Sequence, residues 1–259
     1  MPVVSVNGHD LFHDRSGGGP PLLFLHGNPG THRLWRHQLD HFRSRYDLVA
    51  VDMRGYGQSD KPVGADYHPS ALAGDIAGLI SKLGLARPVV VGLSMGSMVA
   101  LSLAIEHPDS LSGLVLAGAT SDRRDRDPDR ELMQLEALGF EPYLRRLVTS
   151  WYLSGAHPDL IEWTLAEVLT TELHVRQATI RALAGFNVTE RLGEIDVPTL
   201  IMAGERDITA PCDRARTIAE RVHGSELAII PEAAHMFIAE APSRVNATMD
   251  AFLRRIAYQ

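Results

Sequence analysis

The stretch Pro88-Val89-Val90-Val91-Gly92-Leu93-Ser94-Met95-Gly96 passes from an apolar run into a helical pattern, Met95 to His107, with one serine set between two glycines. The valines read as a buried strand. Ser94 therefore stands on a strand-to-helix turn too sharp for side chains at the flanking positions, and its hydroxyl projects from the strand end. A serine hydroxyl is a weak nucleophile by itself, so the reading requires a base and a group to orient that base elsewhere in the chain.

Outward from this turn the chain alternates short apolar runs with helical patterns. The runs are Val3 to Val6, Leu11 to His13, Leu22 to Leu25, Leu48 to Val51, Val89 to Val91, Leu114 to Ala117, Thr199 to Ala203 and Leu227 to Ile230. Asn7-Gly8 between the first two predicts a hairpin. The others, joined by predicted helices Ser70 to Leu83, Met95 to His107, Pro211 to Val222 and Ser243 to Ile256, predict a mostly parallel sheet covered on both faces, an α/β fold. Between Asp122 and Phe186 the pattern is helical without a strand. Residues 1–121 and 187–259 are therefore expected to form one core, with 122–186 inserted as a helical cap. The mixed charges of Asp122 to Arg130 read as a solvated hinge at its start.

Ligand sites of open parallel sheets gather at the carboxyl ends of the strands. Asp207 follows the strand Thr199 to Ala203, and His235 follows Leu227 to Ile230. The histidine, with an ordinary pKa of about 6.5, suits proton transfer to and from the serine near neutral pH. The aspartate would fix its tautomer and stabilise the imidazolium. An oxyanion forming on the substrate needs preorganised donors. The backbone N–H of Met95 is one candidate, and the loop His26-Gly27-Asn28-Pro29-Gly30 supplies the other from Asn28, because Pro29 has no N–H. Asp122, beyond the Leu114 to Ala117 strand, is the rival for the acid.

These blocks, with Asp52-Met53-Arg54-Gly55-Tyr56-Gly57-Gln58-Ser59-Asp60 and with Glu240 and Pro242 after His235, resemble the α/β-hydrolase superfamily over essentially the whole chain. Within it the length, the elbow and the compact cap look like small serine carboxylesterases and enol-lactone hydrolases. The resemblance gives Asp52 and Arg54 a scaffolding role. Asn28-Pro29 with Leu34-Trp35-Arg36 is similar to a loop of haloalkane dehalogenases, but those enzymes use an aspartate where this chain has Ser94. The residue after the elbow is Ser97 and that before the histidine is Ala234, where the family often has glycine.

The resemblance implies a serine hydrolase that cleaves a small ester or lactone through an acyl-enzyme, without a cofactor. Carbon-carbon bond hydrolysis of ring-cleavage products and a slow-turnover ligand receptor of the same fold stay open, as does acyl transfer. Trp151, Tyr152, Trp163, Phe186 and Met236 are candidates for the substrate pocket, and Arg145, Arg146, Arg176 and Arg181 for a substrate carboxylate.

Other classes fare worse. The net charge of −7 disfavours nucleic acid and anionic membranes as partners, leaving a small-molecule substrate and an open question of homo-oligomers. No run approaches the roughly 20 apolar residues of a membrane span, and the start lacks a signal-peptide pattern, so a cytoplasmic protein is expected. The single cysteine, Cys212, forbids an internal disulfide. His37 and His41 sit four apart, yet no third ligand accompanies them, and no metal is expected.

Overall fold

The computed structural model describes residues 2–258. Eight strands, β1 (Val3–Val6), β2 (His9–Gly17), β3 (Pro21–Leu25), β4 (Asp47–Val51), β5 (Val89–Leu93), β6 (Gly113–Ala117), β7 (Thr199–Gly204) and β8 (Glu226–Ile230), form one sheet in the order β1-β2-β4-β3-β5-β6-β7-β8. β1 and β2 pair antiparallel across a turn at Asn7 and Gly8, whose φ angles are 51° and 81°, as a two-residue hairpin requires. β2 pairs antiparallel with β4, and every later pairing is parallel.

β2 runs four residues past the predicted Leu11 to His13. Its second half, Asp14 to Gly17, is exposed and polar, so no apolar run marks it, but pairing with β4 extends it. Arg15 and Asp47 clasp there through two hydrogen bonds of 2.9 and 2.6 Å.

Alternate residues of the central strands face opposite layers, as the two-residue period of a strand dictates. Leu23, Leu25, Val49, Val51 and Val90 pack with Ile76 and Leu79 of one helix layer. Leu22, Phe24, Leu48, Ala50, Val89 and Val91 pack on the other side with Trp35, Phe42 and Phe252. Full burial of such a side chain contributes about 1.5–3 kcal/mol, so the sheet is a rigid base for whatever its strand ends carry.

The helices of the core are α1 (Arg36–Phe42), α2 (Pro69–Leu83) and α3 (Met95–Glu106), followed after the cap by α8 (Cys212–Arg221), α9 (Phe237–Glu240) and α10 (Pro242–Arg255). α3 is apolar all round and is buried from Met95 to Ile105, which removes the solvent-facing stripe of an ordinary surface helix.

Four α-helices lie between β6 and β7: α4 (Pro128–Leu138), α5 (Phe140–Ser150), α6 (Pro158–Val168) and α7 (Leu173–Ala184). Asp127 starts α4 by accepting the Arg130 N–H at 3.0 Å, with Pro128 at the first helical position. An isolated antiparallel bridge between Asp122 and Asn187 brings the two ends of this insertion together. On the core side, Glu167 of α6 accepts from Thr31 Oγ1 at 2.7 Å and pairs with Arg33 at 3.0 Å. Among the described residues, no helix is long and apolar enough to cross a membrane.

Candidate active site

Ser94 sits between β5 and α3 with φ 52° and ψ −111°, a conformation that non-glycine residues rarely adopt. The surroundings enforce it. A Cβ at Gly92 would strike the backbone of Gly96 and Ser97, and one at Gly96 would strike the carbonyl oxygens of Leu25 and His26. The Ser94 N–H donates to Ala117 O at 2.8 Å, and Ser97 Oγ donates to Gly92 O at 2.7 Å, tying the turn to β6 and β5. Ser97 thus adds a hydrogen bond where the family often has glycine. Strain of this kind, held by packing, is common at functional positions.

Asp207 and His235 arrive from the ends of β7 and β8. His235 Nδ1 lies 2.7 Å from Asp207 Oδ2, and the other carboxylate oxygen accepts the N–H groups of Thr209 and Ala210, both at 2.8 Å. Both side chains are buried. The carboxylate is thereby fixed by three donors, and the imidazole presents Nε2 away from it. Asp122, the rival acid, faces Arg124 at 2.7 Å on the partly exposed surface.

Ser94 and His235 line the same cavity of about 510 Å³ under the cap. Among the described residues they are not hydrogen-bonded to each other; such contacts are commonly long before substrate arrives. Asn28 and Met95 line this cavity beside them, and neither of their backbone N–H groups donates to a protein acceptor among the described residues. The loop that carries Asn28 is set by His26, whose Nδ1–H donates to Gly27 O at 2.8 Å while Nε2 accepts the Met53 N–H at 3.0 Å. Loss of water, above all, pushes the His26 pKa down to about 4, so this ring is a neutral strut at neutral pH. Tyr56 donates to Asn28 Oδ1 at 2.9 Å. Asp52 accepts from His32 and Gln58, and Arg54 pairs with Asp75 of α2 at 2.9 Å, contacts that hold the scaffold together.

Of the predicted pocket residues, Trp151 and Met236 are at the site. Both line a second, apolar pocket of only about 10 Å³ next to Ser94, together with Gly27, Pro29, Leu34 and Leu93, and Trp151 also lines the large cavity. Tyr152, Trp163 and Phe186 are elsewhere. The Tyr152 hydroxyl bonds Thr164 Oγ1 at 2.6 Å inside the α5–α6 packing, Trp163 lies 3.6 Å beneath the Arg36 guanidinium, and Phe186 is wholly buried beside His68 on the opposite layer. Large aromatic rings serve helix packing as readily as ligand pockets, and these three do the former. Arg145 pairs with Glu141 and Glu162 on the surface, and Arg181 is exposed, whereas Arg146 and Arg176 line the cavity.

The segment read as a solvated hinge is largely exposed, and Arg123, Asp125, Arg126, Asp127 and Arg130 of it also line the cavity. Their mixed signs carry no periodicity, so only the fold reveals which side chains turn inward. Glu240 is a further residue with more than a spacing role: Oε2 accepts the Ala234 N–H at 2.7 Å and Oε1 the Leu153 N–H at 2.8 Å, bracing the His235 loop against the cap. His41, half of the discarded metal pair, faces Asp250 at 2.7 Å. Among the described residues, no group of three His, Cys, Asp or Glu side chains is placed to hold a metal.

A family model described as the α/β hydrolase fold matches residues 20–144. The Caulobacter sp. (strain K31) protein named "Putative carbamate hydrolase RutD" is 30% identical over 270 residues, covering 98% of both chains. The chain belongs to the α/β-hydrolase fold family. Within that family, 3-oxoadipate enol-lactonase 2 of Acinetobacter baylyi is 25% identical over 240 residues, covering 91% of this chain and 89% of the lactonase. An esterase from Exiguobacterium antarcticum superposes with a TM-score of 0.91 at 25% identity, covering 97% of this chain and 98% of that one. These three relatives of this α/β hydrolase are thus themselves named as hydrolases: a putative carbamate hydrolase, an enol-lactonase and an esterase.

Proposed function

We propose that this α/β hydrolase is a serine hydrolase that opens a small ester or lactone, with Ser94 as nucleophile, His235 as base and Asp207 as its orienting acid. The observation that supports this most is the buried 2.7 Å contact of His235 Nδ1 with Asp207, on a ring that shares its cavity with Ser94. In the first half-reaction Ser94 Oγ bonds to the acyl carbon while His235 Nε2 takes its proton. The carbonyl oxygen becomes an oxyanion that the N–H groups of Asn28 and Met95 stabilise; a donor in this role is worth about 3–4 kcal/mol. Collapse breaks the acyl C–O bond, and His235 returns the proton to the departing alkoxide, which in a lactone remains tethered. In the second half His235 takes a proton from water, the resulting hydroxide attacks the acyl-enzyme, and Ser94 leaves with that proton. Names and folds of the esterase and enol-lactonase relatives agree with this chemistry.

The test is labelling with a fluorophosphonate and mapping of the modified peptide, alongside turnover of p-nitrophenyl acetate. Modification at Ser94, with label and turnover both lost in Ser94→Ala, is the expected result. Label on any other residue, or a Ser94→Ala variant that still turns over, refutes the assignment.

A further inference from the structure

The cavity over Ser94 is basic in an acidic protein. Five arginines, Arg123, Arg126, Arg130, Arg146 and Arg176, line it against three carboxylates, while the whole chain carries a net charge of −7. The carboxylates are already engaged. Asp125 accepts from Arg214 at 2.5 Å, Asp127 caps α4, and Glu131 accepts from Arg176 at 2.6 Å and from the Tyr143 hydroxyl at 2.7 Å. Arg126 donates to Thr209 O at 2.9 Å.

Two of the guanidinium groups are left incompletely partnered, each at one atom that water does not reach. The Nε atoms of Arg123 and Arg176 are both fully buried without a hydrogen-bond partner. Arg123 forms no side-chain hydrogen bond or ion pair among the described residues. Burial foremost, then the like charges of Arg126 and Arg176, pull its pKa down to about 10, a value that still leaves it a cation at neutral pH. A desolvated cation next to another is unfavourable in a folded protein unless an anion completes the arrangement. Planar guanidinium forks match the oxygens of carboxylates and phosphates.

We infer that the substrate of this hydrolase is itself an anion, an ester or lactone whose carboxylate or phosphate group lodges against Arg123 and Arg176 while its acyl carbon meets Ser94. This rests on the serine-hydrolase reading for the acyl group, but the anion site stands on its own geometry. The apolar pocket beside Ser94 has room for no more than a very small group, so the charged part belongs in the arginine-lined cavity.

The test compares mono-(4-nitrophenyl) succinate with 4-nitrophenyl butyrate, which differ in a terminal carboxylate against a methyl group. The wild-type protein should favour the succinate ester in kcat/KM, and Arg123→Met should reduce that preference about ten- to a hundredfold, the worth of a charge-assisted hydrogen bond. Because Arg123→Met removes an unpartnered buried donor, its Tm should equal or exceed that of the wild type. Should the variant fail to fold, competition on the wild-type protein decides: succinate should inhibit butyrate turnover and succinamide should not. Inorganic phosphate in the same assay separates a phosphate site from a carboxylate site. If neither ester turns over and no fluorophosphonate label appears, the serine-hydrolase reading fails. Calorimetric binding of succinate or phosphate to the wild-type protein, weakened in Arg123→Met, would then still support the anion site. An unchanged substrate preference in Arg123→Met, or no binding of either anion, overturns it.

Discussion

Asp207→Asn changes one atom and separates the two candidate acids. Asp207 Oδ1 accepts two backbone N–H groups and Oδ2 faces His235 Nδ1. Asparagine has one acceptor oxygen and one NH2 group to divide between these sites. With its oxygen toward Thr209 and Ala210, the NH2 meets His235 Nδ1, which must give up its proton; Nε2 then carries the hydrogen and no longer serves as a base. With the amide reversed, the imidazole keeps its tautomer but two buried N–H groups face a donor, at about 1–3 kcal/mol each. The first arrangement therefore wins by about 2–6 kcal/mol, and turnover should fall about ten-thousandfold, the scale known when a triad histidine is held in the wrong tautomer. Thermal unfolding should move little, since the polar contacts survive with roles exchanged. Turnover of p-nitrophenyl acetate, read beside the imidazole 15N shifts of His235, gives both quantities. Asp122→Asn, whose carboxylate only meets Arg124 at the surface, should stay within about twofold of wild type, as surface substitutions generally do. An Asp207→Asn protein that keeps a tenth of its activity, or a collapse confined to Asp122→Asn, would refute the reasoning.

Glu240→Gln replaces a carboxylate that accepts the Ala234 and Leu153 N–H groups with an amide that can accept only one of them. A loss of about 2 kcal/mol is expected, seen as a Tm lower by about 4–8 °C in a chain of this size, with kcat reduced more than KM rises; unaltered melting would show that the brace carries no energy. His26 titrates at about 4 when folded, against about 6.5 in an unfolded chain. Between these values the unfolded chain binds a proton that the folded one refuses, so stability rises with pH through that window and is flat above it. Lowering the pH from 7 to 5 should cost about 2 kcal/mol from this residue alone, and an NMR titration that found His26 protonating near pH 6.5 would contradict its role as a neutral strut.

The strands of the parallel core were legible because burial on both faces turns them into continuous apolar runs, as in Val89–Val91 and Leu114–Ala117. β2 was only partly legible, since its polar half gains its shape from β4 and not from its own pattern. The elbow and the positions of Asp207 and His235 were readable because backbone chemistry constrains them: two glycines that no larger residue can replace, and two side chains each placed in the loop after a strand, the buried β7 and the half-buried β8. The pocket was not. Whether Tyr152 faces a ligand or Thr164, and whether Arg123 faces water or a cavity, depends on how α4 to α7 cross one another, and the helical period fixes only which face of each helix is apolar.

The same contacts that order the site also limit how the cap moves. Trp151 lines both pockets, and its carbonyl oxygen accepts the N–H of Met236, the residue after His235, at 3.0 Å. Leu153, two residues on, is held by Glu240, and Glu167 of α6 is held by Thr31 and Arg33. Lifting the cap here would break these contacts together, at about 1 kcal/mol or more for each hydrogen bond, and would displace the loop that carries His235. Exposed Arg126, Asp127, Arg130, Leu138 and Ile208 also line the large cavity, with Ile208 73% exposed. The cap is thus tied to the core beside the histidine, at α6 and, through Arg126 with Thr209 and Asp125 with Arg214, at its first segment, so a ligand entering past these exposed residues meets positive charge before it reaches Ser94.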